Sequence, residues 1–200
     1  DVGLQIGLKQ DVVVSAAAFA KLQLLVPGET TAPGSASGKT GTPTARTAGT
    51  AFNVTVNAVD AFWNLTTNVT DVVDISSTDT NAALPMDAAL VNGTGLFGIT
   101  FKTAGSQTLT ASDVTDGSKT ANTSPSITVN LGAFAKLQIL APGETAAPGT
   151  ATGKTGTPTT QTAGTGYTVT VNAVDANWNR VSTNDTVAIT SSDANASLPA

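Results

Sequence analysis

From Phe52 to Ala58 the chain alternates strictly: Phe52, Val54, Val56 and Ala58 are apolar, and Asn53, Thr55 and Asn57 between them are polar. A period of two puts the apolar set on one face of a β-strand and the polar set on the other. The same alternation recurs along the chain. Ala20, Leu22, Leu24 and Val26 alternate with Lys21 and Gln23; Val73 and Ile75 mark a third strand, and Ala88 to Val91 a short fourth. Phe97, Ile99 and Phe101, then Leu109 and Ala111, then Ile127, Val129 and Leu131 complete the set. Each predicts a strand with one face buried and the other in water. Asp116-Gly117 is a tight-turn signal between the last two. About seven short strands with turn punctuation predict an all-β antiparallel sandwich with Greek-key connections.

The pattern is also copied. Residues 18–64 return 115 positions later as residues 133–179, with 36 of 47 positions identical. A fixed period of this size means one folding unit used more than once. We therefore expect a first sandwich over residues 18–131 and a second over residues 132–200. The second stops before the counterparts of residues 87–130, so its last strands are absent from the sequence. Residues 1–17 align with the closing strand of a preceding unit, Asp11 to Ser15 falling on Ser126 to Asn130. Leu4, Ile6 and Leu8 alternate with Gln5, Gly7 and Lys9, so this segment also suits a donated strand. The expectations are a piece of a longer repeat protein, or subunits that complete one another by strand exchange.

Composition narrows the class. With 36 Thr and 14 Ser, a quarter of the 200 residues carry a small hydroxyl, and Thr and Val outnumber the strong helix formers. Charged residues make up 12% against 40% hydrophobic, which favours a folded core over disorder. No apolar run approaches the roughly 18 residues a spanning helix needs, so no membrane span is expected here. The absence of Cys and His removes disulfides, thiolate and His-based catalysis and most transition-metal sites. A net charge of -5 argues against nucleic acid as a partner. We expect no enzymatic activity, no catalytic residue and no resident cofactor.

Two motifs need weighing. Gly34 to Thr40 (GSASGKT) and Gly149 to Thr155 (GTATGKT) look like phosphate loops, but each has one residue too few before Gly-Lys-Thr and no helical neighbour. The segment holding the first, residues 27–50, contains Pro27, Pro33 and Pro43, is rich in Gly, Thr and Ser, and has no apolar side chain larger than Ala. It predicts an extended flap, partly polyproline-like, with room for a short edge strand.

The stretch TAGTAFNVTVNAVDAFWNLTTNVTDVVDISS, followed by FKTAGSQTLTASD, resembles bacterial immunoglobulin-like repeats of the invasin, intimin and large-adhesin type. In that group an alternating strand runs into an Asp-x-x-Gly-Asn turn, and a late strand is introduced by a Gly. Here the turn reads Asp60-Ala61-Phe62-Trp63-Asn64 and Asp175-Ala176-Asn177-Trp178-Asn179, with Trp where the group has Gly. The resemblance implies tandem immunoglobulin-like sandwiches at a prokaryotic cell surface or outside the cell. It also implies a structural or adhesive role as stalk, adhesin or filament subunit.

The candidate residues follow. Asp60 and Asn64, with Asp175 and Asn179, read as turn formers, because their side chains mimic backbone partners. Asp60, Asp71, Asp74 and Asp79 are weak calcium candidates near one end of the sandwich, although no Asp-x-Asp-x-Asp-Gly loop exists. Trp63 and Trp178, at one repeat position, read first as core or turn-packing residues capping the end of the sandwich, and are also candidates for packing against the next unit or a neighbouring chain or for stacking on a sugar ring. Seven Asn-x-Ser/Thr sequons, at Asn53, Asn64, Asn68, Asn92, Asn122, Asn184 and Asn195, are candidate glycosylation sites. The expected partners are further copies of the unit, in the same chain or another, and surface glycans. The alternatives to a structural module are a glycan-binding sandwich using the repeated Trp, or a spacer of a larger secreted enzyme.

Overall fold

The structure, a computed structural model, describes residues 14–199. The tail or donor strand expected over residues 1–17 therefore lies outside the described residues as far as residue 13. The described residues form sixteen strands and no helix. In the first unit these are β1 (Lys21–Leu25), β2 (Glu29–Thr31), β3 (Lys39–Gly41), β4 (Arg46–Thr47), β5 (Ala51–Val59) and β6 (Val72–Ser77). They continue with β7 (Ala88–Ala89), β8 (Thr94–Thr100), β9 (Gly105–Gln107), β10 (Leu109–Asp113), β11 (Asn122–Thr123) and β12 (Ile127–Asn130). The second unit contributes β13 (Lys136–Leu140), β14 (Glu144–Ala146), β15 (Lys154–Gly156) and β16 (Thr170–Val174).

The first unit is built on two antiparallel sheets. One has the order β1-β5-β8 and the other β11-β10-β6-β7, and the buried core draws on both. Leu22 and Leu24 from β1, Val54 and Val56 from β5, Phe97 and Ile99 from β8 meet Val73 and Ile75 from β6 and Leu109 and Ala111 from β10. Phe52 and Phe101 pack with ring centroids 5.3 Å apart near the start of β5. A third sheet, β4-β12-β9, adds Ile127 and Val129 to the same core, with β4 running parallel to β12. This layered arrangement of apolar faces is consistent with a β-sandwich.

The alternation predicts most of the inner face, but Leu131 lies past the end of β12 and is 47% exposed, and Ala88 and Ala89 of β7 are exposed; the outer face is predicted only in part. Asn53 is exposed, but Gln23 and Asn57, on the face opposite the core, are buried. The flap covers them. Residues 27–50 do not run as one extended polyproline-like segment; they form the hairpin β2–β3, followed by β4. Gln23 Nε2 donates to the Gly38 carbonyl (2.7 Å), Asn57 Nδ2 donates to Gln23 Oε1 (3.0 Å), and Thr94 Oγ1 donates to Asn57 Oδ1 (3.0 Å). A buried polar face is tolerable only when it is satisfied in this way. Lys39 closes the hairpin by an ion pair with Glu29 (3.1 Å) and a bond to the Leu24 carbonyl (3.0 Å).

Turn positions differ from expectation in one respect. The tightest hairpin is at Asn92-Gly93, where Val91 and Thr94 exchange backbone bonds of 2.9 and 3.1 Å and φ is 51° and 72°. These are the dihedrals of a two-residue type I′ turn. Asp116-Gly117 instead begins a wider connection closed by the Lys119 amide on the Asp116 carbonyl (3.0 Å), with an Asp116–Lys119 ion pair of 3.0 Å.

The second unit repeats β1, β2, β3 and part of β5. β16 is confined to the five residues that pair with β13, whereas β5 runs nine residues because β8 lines its other edge. Among the described residues no strand equivalent to β8 lies beside β16. Leu137 and Ile139 are 46% and 50% exposed, although their counterparts Leu22 and Leu24 are fully buried.

Candidate functional site

At the end of β5 the chain turns through Asp60 to Asn64, and the Asp side chain organises the turn. Asp60 Oδ1 accepts the Phe62 and Asn64 amides (2.8 and 2.9 Å), and the Asn64 side-chain amide bonds both carboxylate oxygens (3.2 and 2.9 Å). Oδ2 also accepts the Ala17 amide (2.9 Å), which ties the incoming chain to the turn. These donors, the Asn64 side chain foremost, lower the Asp60 pKa from 3.8 to about 2. The second unit reproduces the clasp at Asp175 and Asn179, with Gly132 in the place of Ala17 (2.9 Å). The linker between the units is therefore pinned to a carboxylate.

Trp63 sits in this turn with φ of 71°, and Trp178 with 68°. Both lie in the left-handed region, where dihedrals are costly for a bulky residue. The compensation is contact. Lys21 Nζ lies 3.6 Å from the Trp63 ring centroid and donates to the Ala61 carbonyl (2.9 Å), so one face of the indole carries a cation. The ring also lies against Gly38 of the flap, where a Cβ would come within 2.1 Å of Trp63 Cδ2. Lys136 and Gly153 serve Trp178 in the same way, at 3.4 Å and 2.1 Å. Both tryptophans fasten the flap to their own unit's turn.

The contact between units is made by Asn179. Its Nδ2, besides holding Asp175, donates to the Lys102 carbonyl (2.9 Å), and its Oδ1 accepts the Ala104 amide (2.9 Å). The carboxamide is thus used completely, as a backbone group would be in a β-ladder. Asp79 shapes the surface it meets: its carboxylate accepts the Lys102 and Thr103 amides (2.7 and 2.9 Å) and the Asn81 amide (3.1 Å). Asn81 then donates across the junction to the Pro148 carbonyl (3.3 Å). β5 pairs Ala51 with Thr100 at one end and reaches Asp60 at the other, so this corner and the Asp60 turn cap opposite ends of the unit. The units meet end to end.

The structure does not bring the four calcium candidates together. Asp60 is clasped by Asn64; Asp79 holds the corner at the far end; Asp71 faces Asp113 and Asp74 faces Asp87. Burial, then the neighbouring carboxylate, raises the pKa of both Asp71 and Asp74. Among the described residues no group of three or more carboxylates is placed to hold a metal ion. Of the sequons, Asn53, Asn68, Asn92, Asn184 and Asn195 are exposed, whereas Asn64 is held by Asp60 and Asn122 Oδ1 accepts the Leu24 amide (2.9 Å). The GKT segments lie in the hairpins β2–β3 and β14–β15, with no helix beside them.

The junction partners Asn81, Lys102 and Ala104 escape the strand pattern, because two of the three bond through main-chain atoms. A trace exists: Asp79-Thr80-Asn81 returns as Asp193-Ala194-Asn195, with the Asn195 amide on Asp193 Oδ1 (2.9 Å) and the Ala196 amide on the Asp193 carbonyl (3.2 Å), as in the first unit. No protein-family model matches the chain, and no curated protein matches its sequence.

Proposed function

We propose that the chain is a non-enzymatic, extracellular structural or adhesive module of tandem immunoglobulin-like sandwiches, a section of a cell-surface stalk, adhesin or filament. The observation that carries this reading is the Asn179 bridge, in which the turn of one unit is hydrogen-bonded to the far corner of the unit before it. A junction with defined donors and acceptors fixes how consecutive units are oriented, which a load-bearing or spacing element requires and a flexible string does not. The sheet hydrogen bonds carry load along each unit, and the number of copies sets reach. Copies of the unit are the first partner, and the Thr-rich surface is available for lateral contact. Trp63 is taken up by Lys21 and Gly38, so the ring is better explained as a fastener than as a sugar platform. Strand exchange between chains is the assembly route that would cover the exposed Leu137 and Ile139 face.

Negative-stain electron microscopy of native material tests the reading. Rods or filaments with a fixed axial repeat of one unit length are the expected result. Dispersed compact particles at high concentration would count against it.

A further inference from the structure

We propose that the exposed end of the first unit, around Pro33, Phe62 and Asn64, is a docking face for the Asn81 and Lys102–Ala104 corner of another unit of this repeat. The inference rests on the end-to-end reading above and extends it to a surface that is uncovered among the described residues.

Equivalent positions in the two units are covered differently. Asn179 is 3% exposed at the junction, whereas Asn64, in the same clasp, is only partly covered. The Asn64 side chain bonds only Asp60, through Nδ2, so one amide hydrogen and Oδ1 remain without a partner among the described residues. These are the two groups with which Asn179 grips Lys102 and Ala104. Gly149 is buried, with Thr103 Oγ1 and Asn81 at contact distance from its Cβ position; at Gly34, with nearly the same φ, nothing lies within 4 Å. Pro148 offers its carbonyl to Asn81, whereas Pro33 is exposed and its carbonyl accepts no hydrogen bond among the described residues.

Phe62 marks the one chemical difference. Its counterpart Asn177 lies over Gly49, where a Cβ would come within 2.5 Å of Asn177 Nδ2, while the Phe62 ring is 66% exposed. A corner docked on the first unit would present a glycine of this kind to the ring, leaving room for it and removing apolar surface from water. The complementary element recurs too, since the Asp-x-Asn corner of the first unit is rebuilt at Asp193 to Asn195.

The test uses a chain in which residues 1–131 are followed directly by residues 17–200, so that a second complete unit precedes the original pair. Segmental labelling and NMR exchange of the side-chain amides read each Asn separately. In the unmodified chain Asn179 should exchange more slowly than Asn64. In the extended chain Asn64 of the second copy should slow by about tenfold, the scale of one well-placed hydrogen bond. If it keeps its original rate while Asn179 stays slow, the docking face is refuted and the stacked reading stands. If Asn179 in the unmodified chain exchanges as fast as Asn64, both fall.

Discussion

Asp60 accepts hydrogen bonds from the Ala17, Phe62 and Asn64 amides and from the Asn64 side chain, and together they hold its pKa at about 2. A group that binds its proton more weakly when folded favours folding above its ordinary value of 3.8. That contribution is lost as pH falls from about 4 through 2. Asp71 and Asp74 act with the opposite sign, because protonation relieves their burial and their pairing with Asp113 and Asp87. Urea midpoints should therefore fall with acid below pH 4, and Asp60→Asn should flatten that fall while lowering the midpoint at neutral pH. An unchanged acid slope in the variant would show that other carboxylates control it. Trp63 sets two effects against each other. Trp63→Gly would remove a left-handed strain of ~1 kcal/mol, but it would also lose a half-buried indole worth ~2 kcal/mol and a cation contact of ~0.5 kcal/mol. Net destabilisation of about 1 to 2 kcal/mol in chemical denaturation is the expected outcome.

Among the elements, the flap shows where the sequence is legible and where it is not. The inner faces of β1, β5, β8 and β10 are readable residue by residue, because burial enforces the period of two at Leu22, Val54, Phe97 and Leu109. The flap defeats that approach, since its order comes from polar partners far away in sequence. Gln23 reads as a wet residue beside Lys21, yet it is buried because Gly38, Asn57 and Thr94 complete its network. The tight turn falls at Asn92-Gly93 and not at the expected Asp116-Gly117, since an Asx-Gly dipeptide does not by itself say whether the strands beside it pair closely, and the junction corner was not legible because it is made of main-chain atoms. Gly38 gives the flap its test. Its φ is 74° and a Cβ there would enter the Trp63 ring, so Gly38→Ala should cost about 3 kcal/mol and free the hairpin β2–β3. Faster amide exchange at Thr31 and Lys39 than in the core strands would report that release.

At the scale of the whole molecule, the repeat supplies its own controls. Asn179→Ala should broaden the relative orientation of the two units in residual dipolar couplings, whereas Asn64→Ala should leave that junction as it was. Equal effects would mean that Asn179 acts only within its turn. The cores differ in the same informative way: Leu22→Thr should destabilise by about 3 kcal/mol, while Leu137→Thr, at an exposed position, should cost under ~1 kcal/mol and raise solubility. The pinned linker has a mechanical meaning as well. The amides of Ala17 and Gly132 are anchored on Asp60 and Asp175, which stand at the ends of β5 and β16. Tension arriving through the connecting segment is therefore shared with the middle strand of the β1-β5-β8 sheet before it can peel the edge strand β1. The carboxylate works as a strain relief, like the clamp that keeps a pull on a cable from reaching its solder joint.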